Sequence, residues 1–288
     1  MIRTSTRLLF AILLTLASTT VAFAQANDDT ALKPAEPDFT IINLPTSLNL
    51  GVLKSDIRIT HRFVRPLKCD SCPNSLVSDA FGIDQGALIG LEFRVGVFKN
   101  TQVIVHRARF NKTIQFLGEY AVTRQHEGMP VEISALLGVE GTENFTGVYS
   151  PSVGAVITHL FADKAAIHLD PIWSNNTNIS SCSPGVQGCE PTGTDNTFML
   201  GIGGRVQFMR TLYATAEVTP RLSGYKPGDA VVAFAIEKRL GGHMFQLNFS
   251  NSNLTTTLGQ LAQGNTGATG LGGTTEWYMG FNITRKFF

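Results

Sequence analysis

Cysteine and histidine are the side chains here best equipped for chemistry, and the chain holds four of the first and six of the second. Cys69 and Cys72 form one sequence-local pair, Cys182 and Cys189 another. Paired thiolates can hold a metal, exchange disulfides or anchor a haem. A c-type haem site needs histidine directly after its second cysteine, and Pro73 stands there. Zinc held by four thiolates suits a reducing compartment, whereas the amino terminus described below points to an oxidising one. The cysteines therefore read as two local disulfides or a cross-link between two loops, with three connectivities open.

Hydrolysis would need a nucleophile beside a histidine that a third polar group orients. His61, His106, His159, His168 and His243 fall on separate expected strands with no nucleophile motif near them, so they read as wall or interface residues. Gly201 and Gly203 open a GxGxxG pattern that fails at Val206, and are better explained as packing positions in a curved strand. Nothing is read from the Asn-x-Ser/Thr triplets at Asn111, Asn144 and Asn178. No catalytic residue, cofactor or metal site is expected.

The charged residues carry more. Arg58, Arg62, Arg94, Arg205, Arg221 and Arg239 alternate with apolar neighbours, as do Asp56, Glu92, Glu119, Glu132, Glu140, Glu217 and Glu237. Turned toward one interior, such a mixture either lines a water-filled pore with a transverse field or zips into ion pairs that close it. With Asp56 set aside, these are the candidate pore-lining residues.

What must position them is a set of strands, because the dominant period is two. Ile57, Ile59, His61 and Phe63 oppose Asp56, Arg58, Thr60 and Arg62. The same alternation recurs over 86–98, 101–109, 112–124, 131–140, 152–161, 165–173, 196–208, 212–222, 230–240, 243–250 and the C-terminal segment. That makes about 12 strands, an even number as a single-chain bacterial barrel needs. Each is near the roughly 9 to 11 residues that cross a bilayer at a tilt.

Loop lengths alternate too. Short connections fall at Lys99 and Asn100, Gln125 to Pro130, Ala162 to Lys164, Met209 to Thr211, and Gly241 with Gly242. Long ones fall at 65–85, 141–151, 174–195, 223–229 and 251–275, and only the one near Phe110 and Asn111 is brief. A barrel with short periplasmic turns and long outer loops has that parity, and an ordinary sandwich has no reason for it. Phe98, Phe161, Phe208 and Phe287 fall near one set of strand ends and Phe63, Trp173 and Trp277 near the other, as two interfacial girdles would. The Gly- and Thr-rich 251–275 loop is the candidate constriction or mobile outer loop.

Composition agrees. Charged residues are 16 percent, there are 28 glycines and 19 phenylalanines, and a formal charge of +1 offers no nucleic-acid footprint. Arg3 and Arg7, the apolar run from Leu8 to Leu16, and Ala22, Phe23 and Ala24 form a secretory signal with a cleavable Ala-x-Ala site. Ser18, Thr19 and Thr20 interrupt that run too early for a spanning helix. Residues 25–50 read as a periplasmic lead rich in Pro and acid, with Phe39 to Leu50 able to tuck against the barrel. Trp277 to Phe288 alternate and stop on an aromatic. This resembles the C-terminal strand by which outer-membrane proteins are read by the barrel assembly machinery.

Several segments together resemble an uncharacterised family of bacterial outer-membrane β-barrels, a domain of unknown function. They are Leu44, Pro45 and Thr46; Ile59 to Phe63; Phe81 to Asp84; and Gly242 to Leu247 with Ser250 and Asn251. The resemblance spans nearly the whole mature chain and implies a fold and a compartment, with no binding residues to carry over.

The expectation is an all-β chain: signal peptide at 1–24, lead at 25–50, and an antiparallel up-and-down transmembrane β-barrel at 51–288 in the bacterial outer membrane, in contact with its lipid. The leading function is a narrow, porin-like channel for small hydrophilic solutes. The alternatives are a closed docking barrel acting through its disulfide-bearing loops and, third, a lipid-active enzyme.

Overall fold

A computed structural model describes residues 35–68, 72, 75–79, 86–178, 195–254, 257–265 and 276–287. The expected signal peptide, Phe288 and three of the four cysteines lie outside these residues. Cys72 lies among them, where no cysteine is free.

The period-two segments form thirteen strands: β1 Ser55–Pro66, β2 Ala87–Phe98, β3 Thr101–Ala108, β4 Ile114–Thr123, β5 Glu132–Gly141, β6 Tyr149–Phe161, β7 Ala165–Ser174, β8 Thr197–Met209, β9 Leu212–Thr219, β10 Arg221–Gly224, β11 Val231–Leu240, β12 His243–Ser250 and β13 Tyr278–Phe287. Each of β1 to β8 pairs antiparallel with the next, β11 pairs β9 and β12, β12 pairs β13, and β13 closes on β1, with Ile59 opposite Ile283. The strand expected over 212–222 is divided at Pro220, whose ring nitrogen has no hydrogen to give a ladder. Both pieces, β9 and β10, pair with β8. Thirteen segments thus make twelve staves of a closed barrel.

Tight turns close one end of the barrel. Asn100 at φ +64° and Gly241 at φ +57° take the left-handed backbone that two-residue hairpins demand. At this turn end begins β1; the longer connections gather at the opposite, loop end. The β3–β4 link is the brief exception, a single 3-10 turn at Phe110–Lys112.

Alternation decides which side chains face out. Leu91, Phe116, Leu137, Val153, Ile167, Phe234 and Leu247 are exposed on the outer face. An apolar band around a closed sheet with no free edge is the arrangement a hydrocarbon layer permits. Among the described residues no helix is long and apolar enough to cross a membrane, which says nothing of the strands. Phe98, Phe161, Phe208 and Phe287 are exposed near the turn end, and Trp173 near the loop end. Phe63, expected in that outer belt, is instead only 6% exposed, packed edge-on against His61 and Phe281 with ring centroids 4.7 and 6.3 Å away.

The inner face is polar, and chain that belongs to no stave lies against it. Residues 35–50 do not stay below the barrel as a lead, nor merely lean against it. They run inside it as a narrow hairpin: the Ile41 amide donates to the Leu44 carbonyl at 2.8 Å, the Thr46 amide to the Phe39 carbonyl at 3.0 Å, and Thr40 bridges Pro45. Ile41, Ile42 and Leu44 are wholly buried. Each such side chain gains about 2 kcal/mol by leaving water, which is why so apolar a stretch does not remain solvated.

Candidate functional site: the filled lumen

The twelve charged residues singled out by alternation all point inward and are all buried. Some pair within the wall. Glu92 on β2 meets Arg94 at 3.1 Å, Arg58 at 3.7 Å and His106 at 3.4 Å, and Arg94 reaches on to Glu119 at 3.4 Å. Arg205 on β8 forks onto Glu237 on β11 through Nε at 2.7 Å and Nη2 at 3.0 Å. That two-pronged geometry is the strongest form of the pair. Arg239 is buried on the same inner face.

The others hold inserted segments. Glu217 accepts from three consecutive backbone amides of the hairpin, Ile42, Asn43 and Leu44, at 3.0, 3.0 and 3.1 Å. Arg58 donates to the Ile42 carbonyl at 2.5 Å, and Arg205 to the Thr40 carbonyl at 2.6 Å. Arg62 donates to the Asn43 side-chain oxygen at 3.0 Å, and Glu132 accepts from the Ser47 hydroxyl at 2.9 Å. Glu140 on β5 accepts the Gly259 amide at 3.0 Å. Arg221 donates to the carbonyls of Pro227, Gly228 and Ala262.

Gly259 belongs to a short helix, Leu258–Ala262, from the 251–275 loop. Thr257 and Gln260 cap it reciprocally, in a capping box that satisfies otherwise free amides. All five helical residues are buried inside the loop end. Of the two readings of that loop, a mobile outer loop or a constriction, its described part therefore shows an inward helix. Leu258, Leu261 and Ala262 join Ile41, Ile42 and Leu44 in one apolar cluster with Ile104, Leu136, Val156, Ile172 and Met199 from the wall. The lumen is closed from both ends, by the hairpin and by the loop helix, neither of which belongs to a stave.

Charge alternation did not single out several contributors. Gln246 donates to the Ile41 carbonyl at 2.5 Å, Asn282 to the Ile42 carbonyl at 3.2 Å, and Gln102 to the Leu48 carbonyl at 2.9 Å. Lys286 donates to the Pro37 carbonyl and sits 4.6 Å from the Phe39 ring, with the Arg94 guanidinium 4.9 Å from the same ring. These residues occupy inward parity positions too, a signal that alternation supplies for Lys286 as for the other charges, and for Gln246, Asn282 and Gln102 once uncharged polar groups are counted. Gly201 and Gly203 are inward as well. A side chain at Gly201 would meet Leu44 at 2.5 Å, and one at Gly203 would meet Ile41. Their absence of a β-carbon makes room for the hairpin, a more specific role than curvature.

The histidines are dispersed. His61 stacks on Phe281 at 4.5 Å on the outer side, and His159 meets the Pro130 carbonyl at 2.8 Å. His243 stacks with Phe245 and contacts Arg285. Thr158, His168 and Glu36 do align, at 2.9 and 3.8 Å, and all three are fully buried, Glu36 lying in the inserted segment itself. Among the described residues no cluster could hold a metal ion. At the turn end, where the hairpin leaves the barrel, a cleft of about 350 Å³ is lined by Leu48, Leu50, Lys99, Asn100, Arg124 and His126.

Solved structures of similar outline include the NanC porin, with 6% identity over 81% of this chain and 100% of that one at a TM-score of 0.49. The KdgM porin has 9% identity over 82% of this chain and 100% of that one, also at 0.49. The outer membrane protein Omp33 of Acinetobacter baumannii has 9% identity over 82% and 98%, at 0.42. No match was found among curated proteins. A family match runs from Asp38 in the inserted hairpin through Phe287 in the last strand, so hairpin and barrel fall within one unit. The chain belongs to the family described as "Membrane bound beta barrel domain (DUF5777)", which matches residues 38–287.

Proposed function

We propose that the protein is a bacterial outer-membrane channel for small hydrophilic solutes, closed at rest by residues 35–50 and by the loop helix. In this reading the signal peptide is cleaved on export, the turn end faces the periplasm, and the C-terminal strand ending at Phe288 engages the barrel assembly machinery. The disulfides expected at Cys69, Cys72, Cys182 and Cys189 stiffen loops outside the cell.

One observation carries the reading: the wall's own inward apolar side chains, such as Ile104, Leu136 and Ile172, do not fill the lumen alone, and two segments outside the staves, tied to polar wall groups, complete the filling. A barrel meant only as a rigid element would fill itself, as small barrels do. Withdraw the hairpin, and Glu217, Arg58, Gln246 and Asn282 face a cavity they can hydrate. Inward basic side chains stand on β1, β2, β8, β10, β11 and β13, with the four carboxylates Asp56, Glu92, Glu217 and Glu237 among or beside them. By contrast, β4, β5 and β7 contribute the carboxylates Glu119, Glu132, Glu140 and Asp170 with no lysine or arginine, so the charge is uneven around the wall. Water between those sectors would sit in a transverse field, which favours polar over apolar solutes.

The test is planar-bilayer recording on the folded chain before and after the exposed 51–54 link is cut by a protease whose site is inserted there. The expected result is a quiet barrel that conducts in discrete steps once the hairpin has left. A barrel that stays silent with the hairpin gone and the 251–275 loop deleted overturns the reading.

A further inference from the structure

We propose that the lumen wall is a binding site for extended peptide main chain, occupied in cis by residues 35–50 and able to take a separate peptide when they leave. The proposal rests on the channel reading in one respect only, that the lumen can be vacated and reached.

Most of the polar contacts fall on groups that every peptide carries, beside side-chain contacts at Asp38, Asn43 and Ser47. Glu217 gathers three successive amides; Arg58 and Asn282 share the Ile42 carbonyl; Gln246 takes the Ile41 carbonyl and Arg205 that of Thr40. Gln102 behaves as a strand neighbour would. It donates to the Leu48 carbonyl at 2.9 Å and accepts the Leu50 amide at 3.1 Å. Arg124 adds a bond to the Ser47 carbonyl at 3.0 Å, and Lys286 one to the carbonyl of Pro37. Main-chain bonds of this kind supply affinity, while side-chain pockets supply selection.

The hairpin is shaped by the wall more than by itself. Many four-residue turns close by a bond from the last amide to the first carbonyl. Here the Leu44 amide is given to Glu217 and the Ile41 carbonyl accepts from Gln246. The hairpin keeps two bonds of its own, Ile41 amide to Leu44 carbonyl and Thr46 amide to Phe39 carbonyl, and gives the remaining polar groups of its turn to the wall. Glu217 is 4% exposed, and such a carboxylate without its amides would be costly to leave dry. Its partners are a peptide or water.

Two seats define which peptides fit. Gly203 makes room for Ile41 and Gly201 for Leu44. The ligand class is therefore an extended peptide that turns tightly, with branched apolar residues three apart across the turn and proline following the second, as Pro45 follows Leu44. The occupant is joined to β1 through an exposed link, with Leu53 at 85% exposure, so it can be severed without cutting a stave.

The experiment folds the full chain carrying a protease site inserted in the 51–54 link, cuts it, washes away the released segment and checks its loss by mass. A fluorescent synthetic peptide of residues 35–50 is then titrated and its anisotropy read, with conductance recorded in parallel. Expected are saturable binding, competition by unlabelled peptide and a fall in conductance as it binds. Affinity should drop about tenfold or more with Glu217→Gln or Gly203→Val in the wall, or with Ile41→Asp and Leu44→Asp in the peptide. The peptide-side changes keep the test intact should a wall variant fail to fold. A cut segment that resists washing but exchanges with excess labelled peptide also supports the proposal. A vacated barrel that binds neither peptide, or binds both equally, overturns it. Conductance without peptide binding would refute this site and leave the channel standing; binding to a vacated but silent barrel would do the reverse.

Discussion

Glu217 and Glu237 show what a single inward carboxylate can do. Both sit on the polar parity of neighbouring staves and look alike in sequence. Glu237 is answered within the wall by the fork of Arg205, whereas Glu217 is answered by three amides of a segment more than 170 residues away. Their substitutions should therefore fail differently. Glu217→Gln keeps an acceptor but loses the charge, and should loosen the hairpin by about 1–2 kcal/mol with the barrel intact. Amide exchange at Ile42 to Leu44 would rise roughly tenfold or more at that cost, while urea unfolding of the barrel in vesicles would not move. Glu237→Gln leaves a buried guanidinium short of its counter-charge and should destabilise the barrel itself by about 3–5 kcal/mol, read in the same urea titration. Which glutamate had which partner was not legible beforehand, because alternation gives the face of a side chain and says nothing of a partner distant in the chain.

The strands are where the sequence spoke most plainly. Alternation places Leu247 in the middle of β12 on the outer face and Phe98 at the end of β2, and both are exposed there. Leu247→Arg should cost about 2–4 kcal/mol near the bilayer midplane, and Phe98→Arg only about 0–1 kcal/mol at the interface, compared as folding yields into vesicles. Short elements were harder to see. The division at Pro220 follows from its missing amide hydrogen, a signal that alternation alone passes over. The helix Leu258–Ala262 was hidden in a Gly- and Thr-rich loop, although Thr257 and Gln260 carry the spacing of a capping box. Any side chain at Gly259 meets the Glu140 carboxylate. Gly259→Val should expel this helix, seen as new proteolytic cuts within 251–265 while the strands remain protected.

For the molecule as a whole, closure of the barrel was readable from two facts about the chain: alternation over twelve staves, and connections that are short at one end and long at the other. Whether the lumen was open was not readable. Arginine and glutamate at inward positions look the same whether they meet water, one another or a peptide. The sign lay in the lead, where Phe39 to Leu50 were expected to tuck against the barrel and Ile41, Ile42 and Leu44 are too apolar to stay solvated beside residues as polar as Glu36 and Asp38, but nothing in it told the outside of the barrel from the inside. Bonds from both limbs bind this segment to the turn-end half of the barrel, Pro37 to Lys286 and Leu50 to Gln102, so the whole account turns on that segment being inside. Hydrogen–deuterium exchange of the folded protein in lipid tests it most directly. The account predicts that amides of Ile42, Asn43 and Leu44 are protected like those of the staves, while the exposed 51–54 link exchanges quickly. A segment 35–50 that exchanges at the rate of an unstructured chain, beside fully protected strands, would contradict it.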